Sequence, residues 1–298
     1  MDVSVIIVNY NTCDLTRNCL KSVFEQTKDI DFEVIVSDNG SKDGSIDMIK
    51  NEFPQVILIE NNANLGFGAA NNRGLKKAKG KYIFYLNSDT IILNNAIKIF
   101  YDYWEQSPEK DQIGALGTNL LDDKESIIHS YGCFPKPIDT ILRFAKQMLN
   151  AYVIYWFKKV IMNQKNYIKY IGKVDYITGA DLFVKNNDYA LFDERYFMYV
   201  EEVQLQFEMY KNNLYRMIID GPRIIHLEGK SAKRTSIDSI EYFFTFSAMN
   251  NNLSTAKFIQ YNYSKFHSTI MKLLLYLFWL TPGFIKKTKQ YRREIWKF

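Results

Sequence analysis

An α/β fold with a mostly parallel sheet flanked by helices is predicted for this chain by three observations. Short β-rich apolar runs alternate with helical stretches through the first 120 residues. The runs are apolar at consecutive positions, as in strands buried on both faces. Each of the first four ends in a loop dense in Asn, Asp, Ser and Gly. Open α/β sheets bind ligands in the crevice at the carboxyl ends of their strands, so the third observation bears on function as well as fold.

In chain order, Ser4 to Val8 reads as a buried strand and Leu15 to Gln26 as a helix with Thr12 and Asp14 as caps. Strand Glu33 to Val36, helix Ser45 to Asn51, strand Val56 to Glu60, helix Ala69 to Ala78, strand Tyr82 to Leu86, helix Asn94 to Trp104 and strand Ile113 to Gly117 follow. The pattern then breaks. Residues 119 to 140 are polar and turn-rich, 141 to 171 read as helical, and from Val174 to Leu227 short strands alternate with one helix near Glu201 to Asn212. Beyond Leu227 the pattern is helical, and no repeat points to a solenoid.

With 47% apolar and 24% charged residues, the 298-residue chain is globular and long enough for one large core with an appendage. Its net charge of +5 is unevenly spread: residues 265 to 298 hold eight cations against Glu294 alone, a local +7 that leaves −2 for residues 1 to 264. A near-neutral body argues against a nucleic-acid partner, and the basic tail points to an anionic membrane surface. The segment IMKLLLYLFWLTPGFIKKTKQYRREIWKF has the composition of an interfacial anchor, or equally of a core-packing helix with a solvated basic face. Cys13, Cys19 and Cys133 lack the paired spacing of a zinc site or disulfide framework, which fits a reducing, cytoplasmic compartment. The start has no signal-peptide pattern, and no apolar stretch reaches the length of a membrane span.

The strand-end loops are Asn9-Tyr10-Asn11, Ser37 to Ser45, Asn61 to Gly68 and Asn87-Ser88-Asp89. Any one of them is explained by turn formation or helix capping; four at one sheet edge favour a ligand crevice. Asp38 is the expected nucleoside contact and Asp43 a structural cap. Gly66 and Gly68 form part of a dinucleotide fingerprint, but its third glycine falls at Asn71, which counts against a nicotinamide oxidoreductase. Asn64, Asn72 and Arg73 fit instead as contacts to a base or to phosphates. Asp89 faces the crevice as a metal or phosphate ligand, or else it or Thr90 caps the helix starting at Asn94. In the second half, Glu201 and Glu202 open a helix as dipole partners or as a general base, and His226 ends an apolar strand as a core histidine or a ligand.

Taken in order, SVIIVNYN, VSDNGSKDGS, NLGFGAANNRGL, YIFYLNSDT, ITGADLFV, FDERYFMYVEEVQL and IIHLEGKS resemble the inverting family-two glycosyltransferases of GT-A fold, and among them the rhamnosyltransferase-like branch. The resemblance covers roughly residues 3 to 230. It implies a GT-A domain over 1–230, with a nucleotide-binding half at 1–118 and an acceptor-side half at 119–230, ahead of a helical, basic extension at 231–298. By this resemblance Asn9, Tyr10, Asp38, Asn64, Asn72, Arg73 and Asn87 line the nucleotide, and Asn87-Ser88-Asp89 stands where the family carries a metal-binding Asp-x-Asp. Asp89 and His226 are then the metal ligands for Mg²⁺ or Mn²⁺.

Glu202 stands at the family's catalytic base, with Glu201 as the alternative, and Thr178-Gly179-Ala180 borders donor sugar and acceptor. The implied partners are a dTDP- or UDP-linked sugar and a glycan or lipid-linked acceptor in bacterial cell-surface polysaccharide synthesis, at the inner face of the plasma membrane. A non-catalytic sugar-nucleotide or glycan-binding homologue is the rival, because Asn87, Glu202 and Gln204 depart from the family's usual acids.

Overall fold

The chain enters its sheet through β1 (Val3–Asn9), whose residues are buried at all but one position because both of its faces are covered. Val5 and Ile7 belong to one core cluster and Ile6 to another on the opposite face. The computed structural model describes residues 1–157, 167–227 and 240–298.

Helix α1 (Cys13–Gln26) leads to β2 (Phe32–Asp38), α2 (Ser45–Glu52), β3 (Ile57–Glu60), α3 (Phe67–Leu75) and β4 (Tyr82–Asn87). Then come β5 (Thr90–Ile92), α4 (Ala96–Gln106), β6 (Ile113–Thr118), β7 (Tyr131–Gly132) and α5 (Pro137–Phe157). They are followed by β8 (Gly172–Val174), β9 (Tyr176–Ile177), β10 (Asp181–Lys185), α6 (Glu201–Lys211), β11 (Tyr215–Ile219) and β12 (Ile224–His226). The chain ends in α7 (Phe246–Asn262), α8 (Lys265–Phe278) and α9 (Lys289–Glu294).

The main sheet runs β3-β2-β1-β4-β10-β6-β11-β8. Its first four strands are mutually parallel, β10 lies antiparallel between β4 and β6, and β11 returns parallel to β6. Strand order reverses between β1 and β4, which opens a crevice at their carboxyl ends. The register Val8↔Asn87 and Asn9↔Asp38 brings three of the polar strand ends to that edge. Beneath them the core is aromatic: Phe183 stacks on Tyr82 and Phe100 with centroids 5.3 and 5.4 Å apart.

Several expectations change. After Asp89 the chain continues as β5, paired with β12, and the next helix starts only at Ala96, so neither Asp89 nor Thr90 caps it. Thr12 precedes α1, but its hydroxyl donates to Asn9 Oδ1 at 2.7 Å; the Cys13 N–H of that helix goes to Asp43 Oδ2 instead. The helix read over 141 to 171 starts at Pro137, and residues 167 to 171 are non-helical; its middle, 158–166, lies outside the described residues. So does the start of the helical tail, 228–239, with the Glu228-Gly229-Lys230 part of its motif and the expected boundary near 230.

The chain divides into two compact units. The first comprises Met1–Phe134, Asn166–Phe197 and Glu201–Ala232; the second comprises Pro135–Lys165, Met198–Val200 and Lys233–Phe298. The second unit thus includes a segment that the sequence groups with residues 119–230.

Candidate active site

At the crevice floor the polar strand ends bind one another. Asn9 donates to Asp38 Oδ2 at 2.6 Å and to Ser41 Oγ at 3.0 Å, and its Oδ1 accepts the hydroxyls of Thr12 and Thr16 at 2.7 Å. Asp38 Oδ1 accepts the N–H groups of Gly40 and Ser41 at 2.9 and 2.8 Å. Both side chains are 0% exposed. They shape the loop from within, through bonds to one another and to the backbone of residues 40 and 41.

Asn72 is similarly engaged. Its amide donates to Phe192 O and Glu194 Oε1 and accepts from Phe192 N, which ties α3 to the segment before α6. The nearby glycines serve chain crossing: Gly66 has φ +87°, and a Cβ there would meet Phe197 O at 2.1 Å, where that carbonyl accepts the Phe67 N–H. Asn64 Oδ1 accepts the Gly66 N–H at 3.0 Å. Tyr10 and Arg73 are exposed.

At the end of β4 the arrangement is different. The β5–β12 pairing sets His226 opposite Thr90, and the Leu227 N–H bonds the Asp89 carbonyl at 2.8 Å. His226 Nε2 thereby comes to 3.2 Å from Asp89 Oδ1 and 3.4 Å from Asn87 Nδ2. One ring nitrogen donates to a carboxylate or accepts from an amide, and does not do both. Asn87 Oδ1, meanwhile, is buried without a hydrogen-bond partner among the described residues.

Amide orientation is assigned from just such networks. Turned over, Asn87 presents that orphan oxygen where the NH₂ stands, and the three residues offer two oxygens and one nitrogen, a set suited to a hard divalent cation. The donors therefore fit such an ion, with further oxygens left for a ligand to supply. No group of three His, Cys, Asp or Glu side chains among the described residues forms a metal cluster, because the third member here is an amide.

Asn87 N donates to Ala180 O at 3.1 Å, which joins this corner to the turn Thr178-Gly179-Ala180. A Cβ on Gly179 would touch Glu202 Cβ and Cγ at 3.6 and 3.7 Å, so the Glu202 side chain flanks the turn. Glu201 is buried, beside Gly68 of α3, whereas Glu202 is partly exposed. The structure thus brings together Asn87, Asp89, His226, the turn and Glu202.

Three features at this corner carried no recognisable signal in the sequence. Gln206 clamps Ile177, accepting its N–H at 2.8 Å and donating to its carbonyl at 2.7 Å, and so fixes the strand that feeds the turn. Asp181, next after the turn, is wholly buried; it accepts the Thr118 N–H at 2.7 Å on Oδ2 and leaves Oδ1 unbonded. Burial pushes its pKa well above the usual carboxylate value. Finally, Tyr199 and Val200 enter α6 with φ of 66° and 69°, a left-handed conformation that is strained for a β-branched residue.

A model of the family described as "Glycosyl transferase family 2" matches residues 4–158. Poly(ribitol-phosphate) beta-glucosyltransferase of Bacillus spizizenii is 35% identical over 121 residues, 39% of this chain and 19% of that protein. The Escherichia coli UDP-Glc:alpha-D-GlcNAc-diphosphoundecaprenol beta-1,3-glucosyltransferase WfaP is 38% identical over 121 residues, 37% of this chain and 47% of that one. The chain thus matches less than half the length of either relative. Among solved structures, a mannosyltransferase from Pyrobaculum calidifontis in complex with GDP-Man and Mn²⁺ superposes with a TM-score of 0.52 at 14% identity. That likeness covers 98% of this chain and 85% of the other, and it shows a shared GT-A-like fold.

Proposed function

The chain belongs to glycosyl transferase family 2, and from that premise we propose that it moves a sugar from a nucleoside diphosphate donor to the hydroxyl of a glycan or lipid-linked acceptor, with inversion and with a divalent cation. The observation that carries this reading is the meeting of Asn87, Asp89 and His226 beside the turn that Glu202 flanks.

Glu202 takes the proton of the acceptor hydroxyl as that oxygen attacks the anomeric carbon. The bond from this carbon to the diphosphate breaks in the same displacement, and the nucleoside diphosphate leaves. Glu202 is preferred to Glu201 because it is partly exposed at the turn, whereas Glu201 is 3% exposed. Asp89, His226 and Asn87 would hold Mg²⁺ or Mn²⁺, which when bound offsets charge on the departing diphosphate. The imidazole ligand leans toward Mn²⁺.

Tyr10, Asn64 and Arg73 are the proposed nucleotide contacts, with Asn9 and Asp38 shaping their loop. The donor named for the E. coli relative supports UDP over dTDP, and its diphosphoundecaprenol acceptor supports a lipid-linked acceptor in cell-surface polysaccharide synthesis. The relatives named above are glucosyl- and mannosyltransferases, which supports a hexose donor.

Glu202→Gln is expected to bind UDP-sugar normally in calorimetry and to lose transfer by about 100-fold or more; unchanged turnover removes Glu202 from the mechanism. A second reading, a binding homologue with little or no turnover, is favoured by Asn87 and Gln204 in place of acids. Donor hydrolysis measured with and without chelator decides between them: activity that chelator abolishes supports the enzyme, and donor binding with no turnover in either case supports the homologue.

A further inference from the structure

The first unit holds a second concavity, a cleft of about 550 Å³ at the C-terminal end of α6. Tyr210 on its wall and Glu202 share that helix, about 12 Å apart along the axis at 1.5 Å per residue. Tyr131, Tyr170, Lys173, Tyr210, Tyr215 and Arg216 contribute to the walls. Tyr131 and Tyr170 pair with centroids 5.1 Å apart, and Tyr170 and Tyr210 are 39% and 54% exposed. These ring faces meet solvent, unlike the aromatic core beneath the sheet.

Arg216 is the unusual member. Its side chain is buried, with the residue only 4% exposed, yet no carboxylate of the described residues lies within 4.0 Å of it. Nε donates to the Asp175 carbonyl at 2.8 Å and Nη1 to the Leu214 carbonyl at 2.6 Å, while Nη2 makes no hydrogen bond to the described residues. The rings of Phe134 and Tyr210 stand 5.2 and 5.7 Å from its guanidinium carbon. The Asp175 carboxylate, which also lines the cleft and attracts the guanidinium at longer range, accepts the Phe134 N–H at 3.0 Å. A buried cation with no carboxylate in direct contact is costly, and a guanidinium fork matches carboxylate and phosphate oxygens. Lys173 adds a second cation, its exposed Nζ 3.8 Å from the Tyr215 ring centroid and 3.9 Å from Glu109 Oε2.

We propose that this cleft binds an anionic sugar unit, with the tyrosine faces stacking on the pyranose ring and Arg216 and Lys173 holding its carboxylate or phosphate. Its distance from Glu202 suits a remote unit of an extended glycan and not the sugar in transfer. Aromatic faces alone accept neutral sugars; the guanidinium that lacks a direct carboxylate partner is what selects for charge.

Cys133 supplies the readout, since it is exposed on the cleft wall while Cys19 is buried with its thiol pushed up to about 12. Alkylation of the full chain by iodoacetamide, followed at Cys133 by peptide mass spectrometry, is measured with trigalacturonate, glucose 1-phosphate or neutral maltotriose. At least one anionic probe is expected to protect Cys133 at a concentration at least about 10-fold below that needed for maltotriose, in keeping with a charge-assisted pair. Which of them protects identifies carboxylate or phosphate as the anion.

Arg216→Gln should remove the preference for charge. Because that residue is buried, Lys173→Gln and Tyr210→Ala, at exposed side chains, carry the same expectation of weakened protection. Protection by no probe, equal protection by maltotriose, or anion protection unaltered in both exposed variants overturns the proposal. Sugar transfer is not part of this readout, so the cleft and the transferase reading fail independently.

Discussion

Asp181 is a carboxyl group held where its charge is poorly solvated. With its folded-state pKa raised above the unfolded value, it favours folding fully only below about pH 4, where both states are protonated. That contribution is lost as pH rises toward the folded pKa, because the unfolded chain ionises freely while the native site resists. Asp181→Asn retains an acceptor for the Thr118 N–H and removes the penalty. It is expected to raise the melting temperature at pH 7, with the gain shrinking toward pH 4; a gain independent of pH would refute the assignment. The same scale shows which single residues were legible from sequence. Asp89 and His226 stand out there as candidates, because an acid and an imidazole at strand ends are chemically conspicuous. The bonds by which Asn9, Asp38 and Asn72 hold Ser41, Gly40, Thr12, Thr16 and Phe192 leave no trace in the local sequence. An amide or carboxylate that builds a loop has the same letter as one that grips a nucleotide.

At the scale of elements, α6 gains its role from where it is clamped. Gln206 binds both backbone groups of Ile177 and also donates to the Glu202 carbonyl at 3.0 Å, so one amide couples the first turn of the helix to the strand leading into Thr178. Gln206→Leu leaves the buried Ile177 N–H and carbonyl unsatisfied, and a loss of about 2–5 kcal/mol is expected in denaturant unfolding. A loss below about 0.5 kcal/mol, the range of ordinary surface substitutions, would mean that the clamp is dispensable. The β5–β12 pair makes a related point. Three-residue strands leave almost no periodic signal, and a helix cap at Asp89 or Thr90 is one of the two readings the sequence allows where β5 begins. Their pairing nonetheless decides that His226 reaches Asp89, since only a partner strand distant in sequence makes Thr90 to Ile92 extended.

At the scale of the whole molecule, the two readings of the basic tail each account for part of the second unit. Helix α8 buries Met271, Leu275 and Phe278, as a core-packing helix does, while Phe266, Leu273 and Leu277 face outward at 70%, 50% and 59% exposure. Lys272 is buried and bonds Gln260, so it is withdrawn from any surface partner; Lys286, Lys287, Lys289 and Arg293 remain exposed. No helix among the described residues is long and apolar enough to cross a membrane. An outward apolar stripe followed by cations is the pattern of interfacial binding, the partner we propose for this surface. A Leu273→Glu, Leu277→Glu double variant is expected to sediment at least about 10-fold less with phosphatidylglycerol vesicles than the wild type, given the apolar burial two leucines supply. Equal sedimentation, or a concentration-dependent dimer that the variant abolishes, would assign the stripe to something other than lipid. By itself the sequence determined the alternating α/β half, its polar sheet edge and the family, because burial on both faces and strand-end chemistry are written in local residue order. Tertiary structure alone decided that Asn9 and Asp38 bind each other, that Glu202 lies against Gly179, and that Arg216 is buried with no carboxylate of the described residues within 4.0 Å. Those outcomes depend on which distant segments meet, and on whether each polar group finds its partner in the protein or leaves a place for a ligand.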